Sequence, residues 1–212
     1  MKKIISLSLI ILFVISSCSS NTQKGIFAKS SLAEDKLFEL AEKNFNKKHY
    51  ELAVDNYNEF LDSYPASTRA ADAEFQIAEA QFLAEEYLEA QYAYEKFIKS
   101  YPWNKNIPYA RYQLALCALN QYNDVRRDQS PLLAALKKFQ DVVDNHPNSE
   151  YAEKSRSEIT KCRVMIAEYE LSVARFYIKQ DKRQAAERRL NFIITQYPET
   201  PSAETAKEML GK

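Results

Sequence analysis

Apolar positions recur at spacings of three and four from Phe38 through Ala41 to Phe45, and again from Ala53 through Tyr57 to Phe60. That spacing marks one face of an amphipathic helix. A polar stretch, Asn46-Lys47-Lys48-His49, separates the two runs, and Pro65 closes the second. Proline lacks the N–H that would continue a helix, and its ring clashes with the preceding turn. The pattern therefore predicts a helix–turn–helix hairpin. Shifting the chain by 37 positions lays Phe38 on Phe75, Ala41 on Ala78, Glu42 on Glu79 and Phe45 on Phe82. The match runs on through Ala53/Ala90, Tyr57/Tyr94, Phe60/Phe97 and Ser63-Tyr64-Pro65/Ser100-Tyr101-Pro102. A match this long signals a duplicated structural unit. The alanines have a packing role, because two helices approach closely only where side chains are small.

Two stretched copies follow. Ala135, Phe139, Val142, His146 and Pro147 repeat the second helix and its stop, as do Ala186, Leu190, Ile193, Tyr197 and Pro198. The third unit carries an insertion near residues 120–130. The fourth holds Ile159, Cys162, Ile166, Tyr169, Val173 and Phe176, mostly at three and four, over a stretch too long for one repeat helix. It reads as one long helix or two stacked ones, and the second choice brings the total to five repeats. Residues 202–210 form a short capping helix. The fold expected for residues 32–212 is all-α, an α-solenoid of about five tetratricopeptide-like helical hairpins.

The N-terminus has a different logic. Lys2 and Lys3 precede an apolar run from Ile4 to Ile15, too short to span a bilayer but suited to a signal peptide. Ile15-Ser16-Ser17-Cys18 resembles a bacterial lipobox, which implies cleavage of residues 1–17 and lipidation of Cys18. Ser19 after the cysteine, rather than Asp, is what such lipoproteins show when they are sorted to the outer membrane. Residues 18–31 are polar without a helical period and read as a lipidated flexible tether, so a membrane contact through the lipid anchor is expected.

Composition removes whole classes of function. Gly25 and Gly211 are the only glycines, and neither lies inside the expected repeats. A P-loop or a dinucleotide fingerprint needs clustered glycines to bring backbone N–H groups to phosphate. Basic and acidic residues balance at 29 each, and Lys2 and Lys3 leave with the signal, so no nucleic-acid surface is expected. His49 and His146 form no paired metal spacing, no CxxC or nucleophile motif occurs, and Glu85-Glu86 reads as solvated helix surface. The chain is expected to be no enzyme, with no cofactor and no metal. Cys117 and Cys162 lie far apart in helical patterns, and the sequence leaves open whether they are bridged.

The order of these features resembles the BamD (ComL) family of outer-membrane assembly lipoproteins. It runs from the lipobox and two regular repeats to an insertion ending Arg126-Arg127-Asp128-Gln129. Then come Pro147-Asn148-Ser149-Glu150-Tyr151-Ala152, Ala167-Glu168-Tyr169-Glu170 and the unit Ala186…Arg189…Tyr197-Pro198. The resemblance implies a non-catalytic scaffold of the outer-membrane β-barrel assembly (BAM) complex, on the periplasmic face of the outer membrane. It would bind a POTRA domain of BamA through the C-terminal repeats and receive unfolded β-barrel proteins on the N-terminal ones, with other BAM lipoproteins as further partners. Arg189 occupies the position where the family has an arginine facing BamA. Arg188, Arg126 and Arg127 are further candidates for that contact. Phe38, Glu42, Phe45, Phe75, Glu79 and Phe82 are candidates for a substrate groove, although the same phenylalanines would also suit an inter-helix core. An alternative is another tetratricopeptide envelope adaptor, such as the Tol-Pal-associated coordinator of envelope constriction. The lipobox and the absence of heptads count against it.

Overall fold

The computed structural model describes residues 21–122 and 128–211. Among them are nine α-helices: α1 (Asn21–Asn46), α2 (Tyr50–Ser63), α3 (Ala70–Leu83), α4 (Tyr87–Ser100), α5 (Ile107–Asn120), α6 (Ser130–Asn145), α7 (Glu150–Lys179), α8 (Arg183–Gln196) and α9 (Pro201–Leu210). Each packs on the next in chain order, and α7 also reaches α5 and α9. The architecture is the all-α solenoid expected, with four hairpins and a closing helix rather than five hairpins. The difference lies in α7, a single helix of 30 residues. No proline or glycine interrupts it, and its buried positions from Ala152 to Ala174 keep one stripe that serves α6 first and α8 after.

The second helix of every hairpin is built alike. Ala53, Ala90, Ala135 and Ala186 are buried at matching positions. One turn on stand Tyr57, Tyr94, Phe139 and Leu190, then Phe60, Phe97, Val142 and Ile193, all buried. The stop is also common to all four. A residue before proline is pushed out of the helical region, and Tyr64, Tyr101, His146 and Tyr197 adopt φ between −129 and −135°. Each still donates its N–H to the carbonyl four residues back. Its own carbonyl then accepts from the N–H three residues on, at 3.0, 2.9, 3.0 and 3.1 Å. Proline thus stops the helix and occupies the second position of the turn that starts the next unit.

The turn inside a hairpin uses another device. Lys48, Glu85 and Asp181 take the left-handed conformation, with φ of 61, 63 and 55°. The N–H of the following residue reaches back to Asn44, Gln81 and Tyr177 carbonyls at 2.9 Å in each case. This is the hydrogen-bond pattern that closes a helix C-terminus, normally on glycine. Here it rests on side chains that make this backbone conformation costly.

One expectation needs correcting at the N-terminus. The helix α1 starts at Asn21, so most of the segment 18–31 expected to be a flexible tether has a helical backbone, and Gly25 lies within it. A helix already nucleated on the packed Phe38 and Ala41 extends cheaply through residues such as Gln23, Lys24 and Ala28. The signal peptide and Cys18 lie outside the described residues.

The left-handed turns yield a test. Replacing Lys48, Glu85 or Asp181 with glycine should raise unfolding stability by about 0.5 kcal/mol each, after the extra chain entropy of glycine is set against the relieved strain. The three sites belong to separate turns, so the triple variant should show additive gains in urea unfolding. A loss on all three would mean the side chains there do more than tolerate the turn.

Candidate interaction surfaces

The first-helix series chosen for a substrate groove divides into two groups. Phe38 is 3% exposed and packs edge-on against Tyr57 and Phe60, with ring centroids 5.4 and 5.0 Å away. The Arg69 guanidinium, brought in just ahead of α3, covers its other face at 3.5 Å. The same guanidinium reaches Asp35 at 3.3 Å and Glu42 at 3.8 Å. Phe38 is therefore core, which corrects its assignment to a groove. Phe75 is half-buried between Phe97 and Tyr109. Phe45 and Phe82 are half-buried at the hairpin turns, edge-on to Tyr50 and Tyr87 at 5.8 and 5.5 Å. These two keep an accessible side, while Glu42 is exposed beside Arg69.

Glu79 is committed inside the protein. Its carboxylate accepts hydrogen bonds from the Tyr94 hydroxyl and, at 2.8 Å, from the Tyr109 hydroxyl. Gln113 donates to the same Tyr109 oxygen at 3.0 Å. One carboxylate thus ties α3 to both α4 and α5. Burial raises the Glu79 carboxyl above its ordinary range, and the hydrogen bonds from Tyr94, Tyr109 and Gln113 offset only part of that. Burial, then the Glu79 charge, also pushes both phenols up, so they stay protonated and remain donors.

At the other end of the array, Arg189 on α8 donates to both oxygens of Glu170 on α7, at 3.2 and 2.9 Å. The Glu170 side chain is 10% exposed and the Arg189 side chain 44%. The arginine is thus anchored from beneath, with part of its guanidinium open to solvent. Arg188 is exposed beside Asp181, Lys182 and Arg183 at the α7–α8 turn, in a shallow depression. Arg126 and Arg127 lie outside the described residues. Glu170 was visible in the sequence within Ala167-Glu168-Tyr169-Glu170, but nothing in that run distinguishes an ion-pair partner from a solvated acid. The Arg163 guanidinium, paired with Glu199 and lying 5.0 Å over the Tyr197 ring, escaped the sequence for the same reason.

Cys117 and Cys162 are buried and free. Burial raises their thiols to about 12 and about 11, which keeps them protonated and unreactive. Among the described residues, no group of acidic, histidine and cysteine side chains could hold a metal ion, and no helix is long and apolar enough to cross a membrane.

The family model described as YfiO, outer membrane lipoprotein, matches residues 31–211. The chain belongs to the YfiO outer membrane lipoprotein family, that of the BamD proteins. The outer membrane protein assembly factor BamD of Xylella fastidiosa (strain Temecula1) is 37% identical over 87 residues, which are 41% of this chain and 30% of that protein. BamD of Pasteurella multocida is 33% identical over 84 residues, 40% of this chain and 32% of that one. These matches span about a third of each relative. Among solved structures, YrrB, a tetratricopeptide protein described as having an unusual peptide-binding site, aligns over 90% of this chain and 98% of its own, at 17% identity and a TM-score of 0.45.

The network at Glu79 yields a pH test in this family member. A carboxyl raised in the folded state binds its proton more tightly there than in the unfolded chain. Its contribution is therefore fully present at pH below the unfolded value near 4.5 and is lost as pH rises through the folded value. The melting temperature of the wild type should fall more than that of Glu79→Gln as pH rises from below 4.5 through the raised range. Parallel curves would mean that Glu79 is not desolvated in the folded protein.

Proposed function

We propose that this chain is a non-catalytic scaffold of the outer-membrane β-barrel assembly complex, held by lipid at the periplasmic face of the outer membrane. It would bind a BamA POTRA domain through its last hairpins and receive unfolded β-barrel proteins near its first ones. The observation that carries this reading is the family match across nearly the whole helical array. The names of the relatives, outer membrane protein assembly factors, support the same role. A solenoid suits it physically, because stacked hairpins expose long surfaces without needing a closed active-site cavity. Phe45 and Phe82, with one side accessible at adjacent hairpin turns, are the best remaining sites for aromatic-rich extended substrates. Arg189 and Arg188 remain the residues proposed to face BamA, with Arg126 and Arg127 as secondary candidates. The anchored geometry of Arg189 favours that part: its side chain is already ordered by Glu170, so less freedom is lost when a second carboxylate docks.

Two experiments test this reading. Affinity purification of the full chain from mild-detergent envelope extracts should recover a POTRA-bearing barrel protein; recovery of intact protein without one would overturn the scaffold role. For the contact itself, Arg189→Glu is a poor probe, because it sets a new carboxylate beside buried Glu170 and would lower stability as well. The pair Arg189→Gln with Glu170→Gln removes both charges together. It should keep the melting temperature within a few degrees and weaken binding to purified POTRA domains by about tenfold or more. Unchanged affinity would remove Arg189 from the interface.

The proposed anchor has its own check. Cys18→Ala should shift the protein from the outer-membrane fraction to a soluble or unprocessed form, since stable attachment needs more than one acyl chain. A Cys18→Ala protein that still floats with outer membranes would show that lipid is not what holds it.

A further inference from the structure

Successive helices run antiparallel, so the turns between hairpins lie at one edge of the array and the turns within hairpins at the other. The helix α1 overshoots the first of these edges. Its 26 residues span about 39 Å, against about 21 Å for the 14 residues of α3. The 37-residue repeat sets Ala70, where α3 begins, against Ala33. Residues 21–32 of α1 therefore run about 18 Å past the edge formed by the turns between hairpins. In sequence only Ser19 and Ser20 separate α1 from Cys18, and residues 19–33 include Lys24 and Lys29 but no acid. The chain thus leaves toward its proposed lipid anchor from that edge.

The same edge carries the single tryptophan of the chain. Trp103 follows the stop proline Pro102 in the turn between α4 and α5, and it is 96% exposed. Its indole forms no ring contact or hydrogen bond with any described residue. The positions after the other stop prolines hold Ala66, Asn148 and Glu199, all exposed. Packing therefore makes no demand here, and a tryptophan leaves in water an apolar surface that those residues do not. Its surroundings are cationic. Lys99, in the last turn of α4, and Lys105, two residues beyond the indole, are exposed and enter no ion pair among the described residues. The two turns nearest α1, residues 64–69 and 101–106, hold Arg69 and Lys105 and no acid. The stops of the later units are followed by Glu150 and Glu199, tied to Lys154 and Arg163.

We propose that the edge carrying Trp103 rests on an anionic lipid surface, with the indole among the headgroups and Lys99 and Lys105 beside their phosphates. This rests on the lipid anchor proposed at Cys18 and adds an orientation to it. An array upright on α1 would hold Trp103 about 18 Å or more from the lipid, so contact requires α1 to run obliquely, tipped until the third hairpin comes down. Tryptophan suits that position because its ring is apolar while its N–H needs a polar partner, and the headgroup region offers both environments. The two lysines add an attraction that salt weakens. The acyl anchor keeps the chain at the surface, which makes even a weak second contact on the same edge effective in fixing which way the array faces. The opposite edge, with the turns that hold Phe45 and Phe82, is then turned away from the lipid.

Because the chain has a single tryptophan, its emission reports this contact alone. The test uses the full lipidated chain in vesicles of phosphatidylethanolamine and phosphatidylglycerol, with N-acetyltryptophanamide in buffer as the solvent-exposed reference. In protein that floats with the vesicles the emission should lie about 10 nm to the blue of the reference, and lipids brominated near the headgroup should quench it about twofold. Lys99→Glu with Lys105→Glu should reverse most of the shift while the protein still floats. Lys43→Glu with Lys47→Glu, at the opposite edge, should change nothing. All four lysines are exposed, so circular dichroism should report a folded protein throughout. Floating protein whose emission stays at the reference value would overturn the contact and leave the anchor standing, whereas protein that does not float would overturn both. An equal effect of the two lysine pairs would also overturn the contact. So would a blue shift that grows with protein concentration in the absence of vesicles, since a second copy of the chain would then cover the indole.

Discussion

Everything in this solenoid depends on the close contact of two helices at a buried alanine. Ala53, Ala90, Ala135 and Ala186 have no side chain beyond Cβ, and each first helix contributes its own buried alanine at Ala41, Ala78, Ala115 and Ala174. Small side chains at these positions let the two backbones of a hairpin approach. The large neighbours one turn along, Tyr57, Tyr94, Phe139 and Leu190, are thereby left to fill the space between hairpins. That division of labour makes the core continuous while no residue contacts more than neighbouring units. The proline stop completes it, because the next hairpin can stack only if every second helix ends at the same distance from its alanine.

This device explains why the second helices were the most legible part of the sequence. Their period, their alanine and their stop are all set by local chemistry, so the same residues recur wherever the unit recurs. First helices carry weaker marks. They are covered on one side by their own partner and on the other by the preceding hairpin, so their apolar stripe is broader and its two edges look alike. The long helix α7 was ambiguous for this reason: its stripe serves α6 and then α8, and periodicity cannot tell a change of neighbour from a change of helix. The helical start of α1 was not legible either, because a segment with no apolar face has no period to read, yet it can extend a helix nucleated further along.

The same ambiguity governed the functional residues. Phe38 and Phe75 have the spacing of groove-facing residues, but Phe38 is covered by Tyr57, Phe60 and Arg69, Phe75 is half-buried against Phe97 and Tyr109, and sequence spacing does not say which side a neighbour will take. Charged residues were harder still. Glu79, Glu170 and Arg69 are each committed to partners 15 to 34 positions away, and only the folded chain brings those partners within reach. What could be read was the candidate arginine in the last unit. What could not be read was that Glu170 holds it from below, which changes the substitution that would test it.

Divergence between duplicated units is informative because the repeat supplies its own reference. Where both copies agree, as at Ala53/Ala90 or Tyr57/Tyr94, packing demands the residue. Where they disagree on an exposed face, packing is satisfied either way and something else selects the side chain. Glu51 and Asp55 are exposed on the second helix of the first unit, where acids keep the surface hydrated. Leu88 and Tyr92 occupy the equivalent positions one unit further in, beside the gap between α2 and α4, while the gap on the other side of α4 is closed by the Lys138–Glu95 and Gln121–Gln91 pairs. The solenoid can evidently seal such a gap with its own polar side chains. It does so between α4 and the third hairpin, while between α2 and α4 Leu88 and Tyr92 stay exposed, so the repeat fixes how each hairpin packs without fixing what fills the gap between neighbouring second helices.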